Sequence, residues 1–484
     1  VIQLRPYQED FVGAIREAFR THRRVLAVAP TGAGKTVCFV YITTSSVAKG
    51  KRITIVAHRQ EIVDQISAAL DAFGVRHGRI QAGHTPTDDP VQVAMVITLG
   101  LRIGKVKPAD FLVIDESHHV NAASYTKIIE AWPDARILGV TATPTRLDGK
   151  PLGKHFDTMV LGPSVKSLID AGFLAPFTYL APPEKADLSG VKTVNGDYDI
   201  QSLAAAMNRA VITGDAVEHA RTYLTGKPAI AFCVTVQHAE DVAAQFREAG
   251  FRAASVDGSM GTLERRDLIR SIGDGRLDIL TSCAIISEGT DIPIVGGAIL
   301  LRPTQSLSVH LQQVGRALRP KPDGSKAVIL DHVGNVKKHG LPDMDREWSL
   351  TVKTKRANPG VTTCDICYKA FQPYPGWTAE AECGSDDFHP PGCVLKKVRE
   401  AAPKALPAFD PAQLVEYRDQ TFTKPAWANG LDIKTAIGPD WFELLRRANT
   451  KEQLAEIARA RNYKYNWVRN ILAKRAKRHQ NAAE

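Results

Sequence analysis

Long apolar runs are missing: no stretch of the 484 residues approaches eighteen uninterrupted apolar side chains, which excludes an ordinary membrane-spanning helix. The chain also lacks a basic opening followed by an apolar segment, so secretion is not expected and a cytoplasmic location is. It starts with Val1 rather than Met, a start that processing, trimming or an unusual start codon would each explain. Cysteine is sparse at seven residues, which without a secretory signal argues against a disulfide framework. Cys38, Cys233 and Cys283 fall inside apolar runs and read as core, while the other four crowd between 364 and 393. Aliphatic residues are short from Trp348 to Ala402, so that stretch has no hydrophobic core of its own. A balancing acidic content is missing too: 62 Lys and Arg against 52 Asp and Glu leave a net charge of +10, which points to polyanionic partners. Residues 441–484 hold eleven of those basic residues against four acidic ones.

What is present fits a large folded protein, too long for one core. Up to about residue 345, short Val, Ile, Leu and Ala runs alternate with segments of helical period, as in a parallel sheet covered on both faces. The expected strands are Val25–Ala29, Ile53–Ala57, Val93–Thr98, Phe111–Asp115 and Ile137–Thr141 in one α/β half. Ala229–Val234, Ala253–Val256, Ile279–Thr281, Ala298–Leu301 and Ala327–Leu330 form the other. Pro176, Pro182 and Pro183 break the pattern, which places the junction near 175. Expected domains are therefore 1–175, 176–345, a cysteine segment 346–402, and a linker with a basic helical tail, 403–484. In the tail, helices are expected at Trp441–Arg447, Thr450–Arg461 and about Tyr465–Arg475, with Thr450 and Gln453 at capping-box spacing.

Ala29-Pro-Thr-Gly-Ala-Gly-Lys-Thr36 follows a strand and precedes an apolar run, the setting of a phosphate loop. Thr31, Gly32, Ala33 and Gly34 would bring backbone N–H groups around phosphates, with Lys35 supplying charge and the Thr36 hydroxyl reaching magnesium. Ala29 stands where the general pattern has its first glycine, and a glycine turn before an exposed lysine is the plainer alternative. Phe111-Leu-Val-Ile-Asp-Glu-Ser-His118 ends an apolar strand in two acids. Asp115 would hold magnesium and Glu116 would orient or deprotonate water, although strand ends also carry acids as solvated caps. In Gln312-Gln-Val-Gly-Arg-Ala-Leu-Arg319, helical spacing puts Gln312, Arg316 and Arg319 on one face. Such a face could deliver arginine fingers, or be only a solvated basic surface.

Taken in order, these blocks resemble a superfamily 2 helicase of the DEAH-like branch that includes type III restriction motor subunits, XPB and phage UvsW proteins. Arg5-Pro-Tyr-Gln8 resembles the adenine-reading entry segment, Ala57-His-Arg59 with Gln65 motif Ia, and Thr98-Leu-Gly100 motif Ib. Thr141-Ala-Thr-Pro144 resembles motif III, Cys233-Val-Thr235 motif IV, and Ser287-Glu-Gly-Thr-Asp-Ile-Pro293 motif V. The resemblance covers residues 3 to about 335 and implies two tandem RecA-like P-loop domains hydrolysing ATP with Mg2+. It implies ATP contacts from Arg5, Gln8, Gly289, Asp291 and Gln312, and coupling through His118, Thr141 and Thr143. Strand contacts would come from Arg59, Thr98, Thr235 and Thr281, and travel would run 3′ to 5′. Asp-Glu-Ser-His rather than Asp-Glu-Ala-Asp leans toward DNA over RNA. An RNA helicase, or a motor subunit recruiting a nuclease in a restriction or defence complex, stays open as the alternative; no nuclease motif is evident.

Cys364-x2-Cys367, Cys383 and Cys393 offer four thiolates for a structural Zn2+ in a segment too poor in aliphatics to fold otherwise. His389 competes with Cys393 as fourth ligand, and reduced cysteines in an extended linker are the alternative. The tail, with Tyr463, Tyr465 and Trp467 beside Arg461, Lys464 and Arg469, reads as a nucleic-acid anchor or as two soluble helices packed on their aromatics. A protein partner could dock at the cysteine segment or the tail.

Overall fold

The computed structural model describes residues 3–85, 87–120, 122–145, 151–181, 188, 190–194, 197–207, 210–283, 295–351, 360–363, 368–372, 447–448 and 453–454. The chain divides into two compact units, 1–363 with 368–372, and 364–367 with 373–484. Both large sheets belong to the first.

The first lobe is a seven-stranded sheet of β1 (Arg24–Val28), β2 (Ile53–Ala57), β3 (Gly78–Ile80), β4 (Val91–Met95), β5 (Phe111–Ile114), β6 (Arg136–Thr141) and β7 (Thr158–Leu161). Its order is β3-β4-β2-β5-β6-β1-β7, and every pairing is parallel. Helices α1 (Pro6–Thr21), α2 (Lys35–Val47) and α3 (Gln60–Ala72) pack on one face; α4 (Val96–Arg102) and α5 (Ala123–Ala131) pack on the other. The alternation of strand side chains decides this arrangement. Val25 and Ala27 join Phe11, Phe39, Ile66 and Leu70, whereas Leu26 and Val28 join Leu99, Tyr125 and Ile128. Ile66 and Leu70 are fully buried, worth roughly 1.5–3 kcal/mol each in apolar transfer.

After α6 (Val165–Asp170), the second lobe opens with β8 (Phe177–Leu180), a small antiparallel hairpin β9 (Thr193–Val194) and β10 (Asp197–Tyr198), then α7 (Ile200–Met207) and α8 (Ala210–Tyr223). It continues through β11 (Ala229–Phe232), α9 (Val236–Glu248), β12 (Ala253–Val256), α10 (Thr262–Gly273), β13 (Ile279–Ser282), β14 (Gly297–Leu300), α11 (Leu307–Ala317), β15 (Ala327–Asp331) and α12 (Val336–His339). The six strands are all parallel in the order β12-β13-β11-β14-β15-β8. A last hairpin, β16 (Thr362–Thr363) with β17 (Ala370–Phe371), lies at the β8 edge, where Ala181 N–H donates to the Tyr368 carbonyl at 2.8 Å.

The sequence pattern missed β3, β7 and β8. These are short strands, all three at sheet edges, where one strand neighbour supplies the pairing and few apolar residues are needed. The expected strand Val93–Thr98 is corrected: β4 stops at Met95 and the chain turns directly into α4, so Thr98 lies in a helix rather than at a strand end. Val96, Leu99 and Gly100 are the buried positions, a helical spacing hidden inside an apolar run. Cys38 and Cys233 are buried as core thiols, Cys38 with its pKa raised by burial to about 12; Cys283 is only half-buried. Among the described residues no helix is long and apolar enough to cross a membrane. The expected Cys364, Cys367, Cys383, Cys393 and His389 set lies outside the described residues, as do Gly289, Asp291 and almost all of the basic tail.

Candidate nucleotide cleft

Between β1 and α2 the chain makes a loop that needs two glycines. Gly32 has φ 87° and Gly34 φ 75°, in the left-handed region. A Cβ on Gly34 would also stand 2.4 Å from Gln8 Nε2, and one on Gly32 2.8 Å from Leu174. Gln8 packs on this loop by donating from Nε2 to the Ala33 carbonyl (3.3 Å), while its Oε1 accepts from Arg5 N–H (3.0 Å). Tyr7 donates its hydroxyl to the same Ala33 carbonyl at 3.2 Å. Lys35, the first residue of α2, turns its Nζ to the carbonyls of Ala29 (3.1 Å) and Pro30 (3.2 Å). Burial lowers its pKa, against the opposing pull of Glu116 and Asp115.

Asp115 and Glu116 follow β5, and Glu116 sits at φ 48°, an uncommon conformation for a residue with a Cβ. Burial first and the Glu116 charge second raise the pKa of Asp115 to about 6, with Lys35 pulling the other way. Two adjacent buried acids facing a lysine form a donor set that suits a hard divalent cation. His118, 3% exposed, places Nδ1 3.3 Å from Glu116 Oε2 and 3.3 Å from Thr141 Oγ1. Thr141 in turn donates its hydroxyl to the Thr143 carbonyl at 2.8 Å.

The second lobe closes the cleft with α11. Thr143 Oγ1 donates to Ser308 Oγ at 2.8 Å, so the chain of polar contacts that starts at Glu116 crosses from one lobe to the other. Gly315 lies so close to the loop that a Cβ there would be 2.7 Å from the Thr31 Cβ. Arg5, Thr31, Gly32, Gly34, Lys35, Thr36, Asp115, Glu116, Gln312, Arg316 and Arg319 all line one cleft of about 510 Å³. Gln312, 2% exposed, has both amide atoms buried and without a hydrogen-bond partner among the described residues, which suits a polar ligand. Arg316, 7% exposed, is close enough to Lys35 to depress its pKa further. Helix α11 ends at Ala317, so Arg319 reaches the cleft from the following turn, not from the shared helical face.

Two model families match this chain: "Type III restriction enzyme, res subunit" over residues 1–146 and "Helicase conserved C-terminal domain" over 215–321, together just over half of it. A 51.5 kDa protein of a Lactococcus phage (isolate 7-9) is 34% identical over 323 residues, covering 66% of this chain and 68% of the phage protein. The chain belongs to the superfamily 2 helicases of the type III restriction and XPB-like branch. This helicase is also 28% identical over 354 residues to the putative ATP-dependent helicase IRC3 of Saccharomyces cerevisiae; it spans about half of that relative's length, 51%, through 68% of its own. Among solved structures it resembles a fragment of a putative HsdR subunit of a type I restriction enzyme from Vibrio vulnificus YJ016, with TM-score 0.55, 22% identity, and coverage of 70% of this chain and 65% of that one. That likeness is one of fold. The two helicase domains imply use of ATP and Mg2+, and the cleft fits both: a glycine loop with a lysine, two buried acids and an amide that has no partner among the described residues.

The other sequence-derived residues are spread along the lobes. Arg59 occupies the N-cap position of α3 and is half-buried; Thr98 is half-buried on α4; Thr235 caps α9 by accepting from His238 N–H at 3.0 Å. Thr281 is a correction. It is fully buried and donates its hydroxyl to the Ala239 carbonyl at 2.7 Å, tying β13 to α9, so its side chain faces the core instead of a strand. Sequence reasoning missed Phe173 and Ser308. Phe173 lies in the connection before β8, lines the cleft, packs tilted against Tyr7 (ring centroids 4.8 Å apart) and lies under the Arg5 guanidinium (5.0 Å). Ser308 stands four residues before Gln312, a spacing that could have flagged it as one turn back on the same helix.

Proposed function

We propose that this helicase is a DNA motor, driven by ATP bound between its lobes, that moves along DNA and remodels forks or branched duplexes. The observation that carries the reading is the shared cleft: one lobe supplies a phosphate loop and two acids, the other an amide and two guanidinium groups. Lys35 and the loop N–H groups hold the phosphates, with Asp115 and Thr36 on magnesium. Magnesium, when bound, neutralises phosphate charge. Glu116 orients the attacking water, and Arg316 with Arg319 stabilises charge developing in transfer, a role that exists only with the lobes together. Arg5, Gln8 and Phe173 surround the base. Loss of the γ-phosphate removes what the arginines hold, and the polar chain Glu116, His118, Thr141, Thr143, Ser308 carries that change into the second lobe.

Strand contacts fall to Arg59, Thr98 and Thr235, which grip phosphates without reading sequence. The choice of DNA is supported by the restriction-subunit family model and the Asp-Glu-Ser-His block, and the basic tail adds residence on the polyanion. A structural zinc held by Cys364, Cys367, Cys383 and either Cys393 or His389 is supported by the Cys-x2-Cys spacing and by the shortage of aliphatic residues around it. Comparing ATP turnover with single-stranded DNA, duplex, forked DNA and RNA tests the reading. Forked or single-stranded DNA should stimulate well above RNA; equal or greater stimulation by RNA would sink the choice of DNA.

A further inference from the structure

Strands β2 and β5 are parallel neighbours, with Ile53 opposite Phe111 and Val56 opposite Ile114, so the chain leaves both at the same end of the sheet. The residues just past those exits are therefore forced together. Past β2 come His58 and then Arg59; past β5 come Asp115, Glu116 and the short 3-10 turn Ser117–His119. The His58 and His119 ring centroids are 4.5 Å apart, and those of His119 and His118 are 4.2 Å apart, both pairs tilted. His118 is buried and reaches Glu116 Oε2 and Thr141 Oγ1, each at 3.3 Å, while His58, next to Arg59 in the chain, and His119 are half-buried. An unbroken row of three rings thus joins the turn bearing Arg59 to the acid proposed to act on water.

We propose that His119, clasped between His58 and His118, is a positioning residue that transmits strand occupancy at the β2–α3 turn to Glu116. The inference rests on the proposed role of Arg59 as a strand contact and of Glu116 in hydrolysis. Tilted rings in van der Waals contact cannot slide independently: a shift of the His58 backbone on strand binding displaces His119, and His119 displaces the imidazole that neighbours Glu116. The row therefore acts on the reaction only when a strand is bound, and it leaves the phosphate loop alone. It runs beside the Thr143–Ser308 contact, which connects the same acid to the other lobe.

The test uses the full-length protein and its ATP turnover with and without saturating single-stranded DNA. His119→Ala should leave the unstimulated rate and the KM for ATP within about twofold, keep strand affinity by fluorescence anisotropy, and lower the stimulated-to-unstimulated ratio about fivefold or more, the low end of usual coupling between sites. His119→Phe, which keeps a ring in the row, should restore most of the ratio, and His119→Asn should not. Full stimulation in His119→Ala overturns the proposal. So does loss of the unstimulated rate in both His119→Ala and His119→Phe, or a loss of strand affinity that accounts for the lower ratio. An unmutated protein that neither DNA nor RNA stimulates overturns the motor reading itself, an outcome seen before any variant is made.

Discussion

Both lobes are parallel α/β sheets, yet among the described residues only the first has a phosphate loop. After β1 the chain needs Gly32 and Gly34 at positive φ to curl over the start of α2 and Lys35. After β11 it turns through Cys233 and Val234, both buried, and enters α9 under an ordinary cap by Thr235. The same layer architecture is thus charged in one case and filled with apolar side chains in the other. Fold alone makes no nucleotide site; two glycines, a lysine and two acids do. Among the described residues, what the second lobe brings to the cleft is borne on α11 and the turn after it, where that helix meets the loop of the first.

The largest effects should come from breaking the first lobe's share. Lys35→Ala and Glu116→Gln should each reduce turnover about 10³-fold or more, the first with weakened nucleotide binding and the second with binding kept. Phosphate release and fluorescent-nucleotide titration separate the two, and a Glu116→Gln enzyme at the parental rate would remove that residue from the chemistry. Next comes the second lobe's share: Arg316→Ala should lose about 10³-fold in turnover while nucleotide still binds, because a guanidinium held across the cleft acts on the transition state. If binding fell as far as turnover, Arg316 would be a binding group and the division between the lobes would be wrong.

A smaller effect is expected where the lobes touch without charge. The Cβ added by Gly315→Ala would lie 2.7 Å from the Thr31 Cβ, an overpacking typically costing about 1–3 kcal/mol, so stimulated turnover should fall roughly tenfold. Ser308→Ala removes one hydrogen bond of about 1 kcal/mol and should cost roughly fivefold in stimulation. Larger losses from Ser308→Ala than from Gly315→Ala would mean that the polar chain, not steric fit, governs closure.

The smallest effect distinguishes the lobes by pH. Asp115 holds its proton up to about pH 6, against an ordinary 3.8, because burial disfavours its charge. A raised carboxyl pKa in the fold means that stability from this group is present at low pH and is lost as pH rises through the window from about 4 to 6. Magnesium competes with that proton, so its stabilising shift in melting temperature should be larger at pH 7.5 than at pH 5. Asp115→Asn should abolish the difference. An equal shift at both pH values would place the cation elsewhere.

Much of the site was legible in the sequence because it depends on local chemistry. The run Gly32-Ala-Gly-Lys-Thr36 states its own turn, and Asp115-Glu116 after four apolar residues states a strand end; both stand at the cleft. Thr281 misled, since a hydroxyl in a strand looks the same in sequence whether it faces a groove or bonds a helix carbonyl. Thr98 misled because an apolar run is ambiguous between strand and helix until a neighbouring strand takes or refuses the pairing.

By itself, then, the sequence determined the two α/β halves, the glycine loop, the paired acids and the arginine block, all carried by residues within a few positions of one another. Tertiary structure alone decided that Ser308 meets Thr143, that Phe173 lies under Arg5, and that His58, His119 and His118 form one row. The physical reason is strand order. Pairing β2 with β5, and α11 with the first lobe's loop, joins residues from about sixty to nearly three hundred positions apart, through contacts that no local pattern encodes.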